Sequence, residues 1–311
     1  MFNGVSRQLR LFVPLFSLSA TALAGTPALQ AERWAAAPDR IAVLTVRPAE
    51  CLVAPAADGA DLVEIGRVAF RTPVLLGGQA ARAGLACESC HRGGRDNPAF
   101  LFPGLSGAPG TADVTSSLMS SHRGNGVFDP KQIPDLTRPG KVSRDARSPE
   151  LRQFIRGLIV EEFDGAEPPA RVLDGLAAYV RALRADACPE QPTQPLRVAV
   201  YLDEVKRAQR AALSACRGSD PATARLMLAG ARAELGLIDE RFAMPGLEKD
   251  RQALRDADLA LAAIQQALDR ADPNIEARLA AWNAALGDWA ARISHDESLS
   301  LFNPARLRQT L

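Results

Sequence analysis

The sequence predicts an all-α protein, and two observations carry that prediction. Apolar residues recur at spacings of three and four over long stretches, most clearly at Ile275, Leu279, Trp282, Leu286, Trp289 and Ile293. Capping residues stand next to proline where helices would begin, at Ser148-Pro149, Asp220-Pro221 and Asp272-Pro273. One run, Ile41-Ala42-Val43-Leu44-Thr45-Val46, has strand-like residues and is expected to dock as an extended piece. With 311 residues the chain is long enough for two domains. Its formal net charge of +1 gives no basic surface for nucleic acid, so no nucleic-acid partner is expected.

Residues 1–24 have the pattern of a secretory signal peptide. Arg7 and Arg10 precede Leu11-Phe12-Val13-Pro14-Leu15-Phe16, and small residues lead to Ala22-Leu23-Ala24. The apolar run is short and interrupted by proline, and nothing later approaches a transmembrane run. Cleavage near Ala24, with Ala31 the second choice, would release a periplasmic protein with no membrane span. Residues 25–60 follow as a lead-in arm, with Cys51 in a proline-flanked loop.

Leu62, Ile65, Val68 and Ala69 place a helix over residues 61–70, ending before Pro73. A glycine turn then leads to Cys87-Glu88-Ser89-Cys90-His91. Two thiols three positions apart, with an imidazole directly after the second, are what covalent haem attachment needs. Each Cys adds to a haem vinyl group and the His reaches the iron. A zinc site wants further Cys or His at close spacing, and a dithiol redox site wants a βαβ context; the sequence has neither nearby. One covalent haem c is therefore expected on Cys87 and Cys90, with His91 as an iron ligand.

Residues 92–146 are dense in Gly, Pro, Asn and Asp. So long an irregular stretch is uncommon in a compact domain unless it is functional, and a haem supplies apolar surface for it to pack on. It contains His122 and Met119, and no other His or Met lies between His91 and Met227. His122 is the first candidate for the second axial position on the iron and Met119 the alternative, because the Arg123-Gly124-Asn125-Gly126 turn beside His122 can bring an imidazole close. A filled position suits electron transfer, and an open one admits peroxide or another small ligand. Arg92, Arg95 and Arg123 are candidate partners for the haem propionates, with solvated side chains as the equal alternative. The basic residues Arg138, Lys141, Arg144, Arg147, Arg152 and Arg156 are read as a solvated face, with a docking patch for an acidic redox partner as the alternative.

Ser148-Pro149 starts a helix whose expected buried face is Leu151, Phe154, Ile155, Leu158 and Ile159. A second, over about 169–184, presents Val172, Leu173, Leu176, Val180 and Leu183. The haem-bearing domain thus spans 61–187, and the proline-rich stretch 188–195 is read as a linker. Cys51 and Cys188 flank this domain and are expected to form a disulfide, leaving Cys216 as a buried free thiol. Over 196–311, helices near 197–217, 221–238, 247–271 and 273–293 make an antiparallel bundle, in which no titratable constellation stands out.

The stretch Ile65-Gly66-Arg67-Val68-Ala69-Phe70, followed by Gly84-Leu85-Ala86-Cys87-Glu88-Ser89-Cys90-His91, resembles the opening of a haem domain in the bacterial di-haem cytochrome c peroxidase and methylamine-utilisation group. Ser120-Ser121-His122-Arg123-Gly124-Asn125-Gly126-Val127-Phe128 resembles that family's aromatic-His-Asp-Gly segment, and residues 173–183 resemble the closing helix of cytochrome c domains. The resemblance implies a cytochrome c-like haem domain ahead of the helical bundle. That family carries two CxxCH motifs, one haem feeding the other, and this chain has one. The expected function is accordingly that of a periplasmic single-haem c-type cytochrome exchanging electrons with a redox partner protein. The alternatives are a peroxidase-like enzyme reducing hydrogen peroxide at an open distal site, and a haem-based sensor.

Overall fold

The computed structural model describes residues 29–311 except 58, 116, 117, 122 and 123. The expected signal peptide lies outside the described residues. Helix dominates, as the periodicity predicts, and the strands are four short pieces.

The arm is more folded than its composition suggests. Two 3-10 turns, Gln30–Trp34 and Ala37–Asp39, lead into α1 (Arg40–Thr45) and only then into a strand, β1 (Val46–Pro48). The Ile41–Thr45 part of the expected extended run is therefore helical. The helical turn lets the adjacent Val43 and Leu44 serve two apolar clusters: Val43 packs with Ala35 and Ala99, and Leu44 with Leu29, Leu301 and Leu307.

Helix α2 (Ala60–Phe70) falls where its apolar spacing puts it, and a 3-10 turn at Pro73–Leu75, α3 (Gly78–Ala83) and the single turn α4 (Cys87–Cys90) follow. The irregular stretch beyond stays irregular, apart from 3-10 structure at Arg92–Gly94 and a two-residue pairing of β2 (Thr111–Ala112) with β3 (Lys131–Gln132). Helix α5 (Glu150–Gly157) runs into a π turn at Leu158–Glu162, and α6 (Ala170–Ala182) closes this half. On α5 and its extension Leu151 and Ile159 are buried and Ile155 and Leu158 half-buried, but Phe154 is exposed. Phe154 stands at the edge of the apolar stripe, outside the part that α5 packs against α6.

Helices α2 and α6 cross where both carry glycine. A Cβ built on Gly66 would stand 1.9 Å from the Gly175 carbonyl oxygen, so only two glycines allow the backbones this close. Phe70 and Tyr179 stack beside the crossing with ring centroids 5.1 Å apart. The Cys51–Cys188 disulfide ties the two ends of this half together, as expected. Cys216 is a free thiol, half-buried rather than fully buried.

The stretch read as a linker ends in a strand, β4 (Thr193–Pro195), which pairs antiparallel with β1 so that Val46 faces Pro195 and Pro48 faces Thr193. Four long helices then form the expected bundle: α7 (Val198–Arg217), α8 (Pro221–Arg241), α9 (Glu248–Asp269) and α10 (Ile275–Asp296). Short connections join them, each packs on the next, and α10 returns to α7. Asp220 caps α8 by accepting the Thr223 amide at 3.0 Å. Asp272 instead accepts from the Asn274 amide and from Arg278 Nε, and α10 starts at Ile275. Trp282 Nε1 donates to the Ala257 carbonyl at 2.9 Å, fixing the seam of α10 against α9. A last helix, α11 (Pro304–Thr310), is capped by Asn303, whose side chain accepts from the Ala305 amide.

The two halves share one core. Helix α2 packs on α7 and α8, and a Cβ on Gly230 of α8 would meet Thr72 Oγ1 at 2.7 Å and Val68 Cγ1 at 2.8 Å. A single apolar cluster runs from Val63 to Phe302 across the expected domain boundary. Among the described residues no helix is long and apolar enough to cross a membrane.

Candidate cofactor-attachment site

The CESC turn is built by local bonds. Ser89 Oγ accepts the Ala86 amide at 3.1 Å, and the His91 amide donates to the Cys87 carbonyl at 2.8 Å. Asn97 Nδ2 donates to the Ser89 carbonyl at 2.7 Å, and the Gly93 amide donates to Glu88 Oε1 at 3.1 Å. Gly93 and Gly94 both have positive φ, which L side chains rarely adopt. A Cβ on Gly94 would come within 2.6 Å of both Leu183 methyl carbons, so the chain leaving the motif is pressed against the end of α6.

His91 is half-buried, with its ring 6.3 Å from that of Phe70. Its Nδ1 is 3.0 Å from the Pro134 carbonyl. A carbonyl only accepts, so Nδ1 carries the proton and Nε2 keeps its lone pair. Burial, against the Pro134 carbonyl, pushes the His91 pKa down to about 4, so the imidazole is neutral at pH 7. That is the form and orientation of a metal-ligating histidine whose other nitrogen is held by an outer partner.

Cys87 and Cys90 are half-buried free thiols. Burial pushes the Cys87 thiol up to about 12 and raises that of Cys90 as well. Among the described residues no three His, Cys, Asp or Glu side chains converge as a protein-only metal site needs. Two thiols and one oriented neutral imidazole on a single turn fit the attachment set of a haem c.

The remaining sequence candidates divide. His122 and Arg123 lie outside the described residues. Met119 is buried in the main core with Phe100, Leu105, Ile133 and Ile159. Next to it Ser120 Oγ donates to the Glu161 carbonyl at 2.7 Å, which lays this part of the loop on the π turn after α5. Arg92 Nη2 donates to the carbonyls of Val43 and Val46, tying the arm to the motif. Arg95 is half-buried and makes no ion pair among the described residues. Of the basic run, Arg138 pairs with Asp135, Arg147 with Asp145, Arg152 with Asp174 and Arg156 with Glu167. The charges are largely met within the face itself, as on a solvated surface.

Sequence reasoning missed the charge network directly beside the motif. Arg67 bridges Glu50 and Glu204, Arg71 joins Glu50 at 2.8 Å and Glu88 at 3.5 Å, and Arg47 reaches Glu204 at 3.1 Å and Glu88 at 3.8 Å. The Tyr179 hydroxyl donates to Glu50. Glu88, inside the attachment motif, is thereby bound into a lattice that spans arm, α2, α6 and α7. The available signal was Arg67 and Arg71, four residues apart among the apolar residues that end α2.

Comparison of the chain with protein-family models, with curated proteins and with solved structures finds no match.

Proposed function

We propose that the chain is a periplasmic single-haem c-type cytochrome that exchanges electrons with a partner protein. The observation that carries the reading is the placing of His91: one position after the second of two thiols, with Nδ1 3.0 Å from the Pro134 carbonyl, which leaves Nε2 as the nitrogen able to ligate a metal. Cys87 and Cys90 would hold the haem by thioether bonds, and His91 Nε2 would ligate its iron. Bound there, the haem supplies one-electron iron chemistry. The protein's own residues orient and shield: Pro134 sets the tautomer of His91, Asn97 and Ser89 fix the turn, and Phe70 and Leu183 pack around it.

The glycine-to-glycine crossing of α2 with α6 supports reading residues 61–187 as a cytochrome c-like domain in the sense of the family resemblance. It brings together two of the segments that carry that resemblance, residues 65–70 and 173–183. A single CxxCH favours transfer over two-electron peroxide reduction, which would need a second electron from elsewhere.

Haem staining of the purified protein after denaturing electrophoresis tests the attachment. One haem per chain is expected, and none in a Cys87→Ala/Cys90→Ala variant. Stain retained by that variant, or absent from the parent expressed with haem-attachment machinery, would overturn the reading.

A further inference from the structure

Glu88 and Ser89, the two residues between the thiols, line a cavity of about 380 Å³ that Cys87, Cys90 and His91 do not line. Its wall is completed by the arm through Trp34, by Arg92, and by the bundle through Tyr201, Glu234 and Arg241. At roughly 30 Å³ for each water-sized group, it has room for about a dozen non-hydrogen atoms.

The charges around it are unevenly met. Arg47, Arg67 and Arg71 are matched by Glu50, Glu88 and Glu204. Among the described residues the hydrogen bonds of Arg92 and Arg241 all go to backbone: Arg92 to the carbonyls of Val43 and Val46, and Arg241 to those of Leu44 at 2.8 Å and Leu301 at 3.3 Å, with the Arg241 guanidinium also 4.8 Å from the centre of the Phe302 ring. Neither has a carboxylate within ion-pair distance among the described residues. Arg241 is 3% exposed, and its Nε, like Trp34 Nε1, has no acceptor. Across from them Glu234 is 8% exposed and makes no hydrogen bond or ion pair among the described residues. Burial, with Glu204 nearby, raises Glu234 to about 8, and burial raises Glu240 to about 7, so neither cancels the guanidinium charge fully at neutral pH.

A buried and a half-buried guanidinium with no carboxylate in ion-pair distance, and a buried carboxyl with no hydrogen-bond partner, all among the described residues, are complementary to a small molecule that carries both a carboxylate and a hydroxyl. We propose that this cavity binds a small hydroxy acid, its carboxylate meeting Arg92 and Arg241 and its hydroxyl meeting Glu234. The site adjoins the attachment turn through Glu88 and Arg92, which bracket Ser89, Cys90 and His91 in sequence. It rests on the cavity and its charges alone, so it stands or falls apart from the haem reading.

Calorimetric titration of the purified full chain with lactate, malate and citrate tests it, with succinate and inorganic phosphate for comparison. At least one hydroxy acid is expected to bind saturably at one per chain, about tenfold or more tighter than succinate or phosphate. Glu234→Leu should remove that preference by weakening the hydroxy acid about tenfold. Gly236→Leu should abolish binding of every acid, because Gly236 lines the cavity at a place where an added Cβ meets nothing within 4 Å. No saturable binding of any hydroxy acid, phosphate binding as tightly as they do, or binding unchanged by Gly236→Leu would each overturn the proposal. The last arm decides even if Glu234→Leu does not fold.

Discussion

Gly66 and Gly175 touch backbone to backbone, and that contact brings the helix before the attachment motif onto the helix that closes the same half. Gly66→Ala is expected to destabilise. Helix propensity favours alanine by roughly 1 kcal/mol, but a Cβ 1.9 Å from a carbonyl oxygen forces the helices apart, at about 3 kcal/mol. The net loss of about 2 kcal/mol is measured by urea unfolding. Gly287→Ala, where an added Cβ meets nothing within 4 Å, is the control and should be neutral or slightly stabilising.

Cys51 and Cys188 are 137 residues apart in sequence, so their disulfide restricts a long loop in the unfolded chain. A Cys51→Ser/Cys188→Ser variant should lose about 3–4 kcal/mol of stability in urea. Cys216→Ser, at a half-buried free thiol, should change it by less than about 1 kcal/mol. A variant as stable as the parent would show that the β1–β4 pairing and the shared core already hold the ends.

Elements with one-dimensional signals were legible: the apolar stripe of α2, the Asp220 cap of α8 and the seam of α10 all lie where spacing put them. Asn303-Pro304 carried the same cap signature and was passed over, because no long periodic stretch follows it. The Ile41–Thr45 run misled, since β-branched residues in a short apolar segment satisfy a buried helical turn as well as a strand. The cysteine pairing followed from the thiols flanking one domain. The linker reading did not foresee β4, because proline-rich edge strands and linkers have the same composition. At the site, the CxxCH was plain in sequence, whereas the Pro134 carbonyl that orients His91 comes from a backbone atom 43 residues on, which no residue type announces.

The Arg47–Arg67–Arg71 network makes stability depend on acid. Burial alone would raise Glu50 and Glu204, but Arg71, Arg67 and Arg47 outweigh it, holding Glu204 at about 2 and Glu50 below its ordinary range. Lowered folded-state values mean that the contribution is complete above the ordinary glutamate value of 4.5 and is lost as pH falls from there toward 2. The difference in urea midpoint between the parent and a variant lacking Glu204, in which the titrations of Glu234, Glu240 and His91 largely cancel, should therefore be constant from neutral pH to about 5 and shrink below it. Glu204→Gln leaves Arg47 and Arg67 buried with too little counter-charge, and should cost about 3–5 kcal/mol at neutral pH while flattening the acid limb. An acid limb unchanged by the substitution would place the pH dependence elsewhere.

On the proposed haem reading, the second axial position on the iron decides between carrier and enzyme, and His122 is the residue proposed to fill it, with Met119 the alternative. Met119 is buried in the core beside Phe100 and Ile159, whereas His122 belongs to the stretch that resembles the family's aromatic-His-Asp-Gly segment. If His122 fills the position, the ferric protein should be low spin and react slowly with peroxide, as a six-coordinate iron does. His122→Ala should then become high spin and bind cyanide or peroxide faster. Met119→Leu, close in volume, should cost under about 1.5 kcal/mol of stability and leave the spectrum unchanged. A low-spin spectrum that survives His122→Ala but not Met119→Leu would transfer the role to the thioether. A parent protein already high spin that turns over peroxide with an added reductant would replace the electron-carrier reading with the peroxidase one.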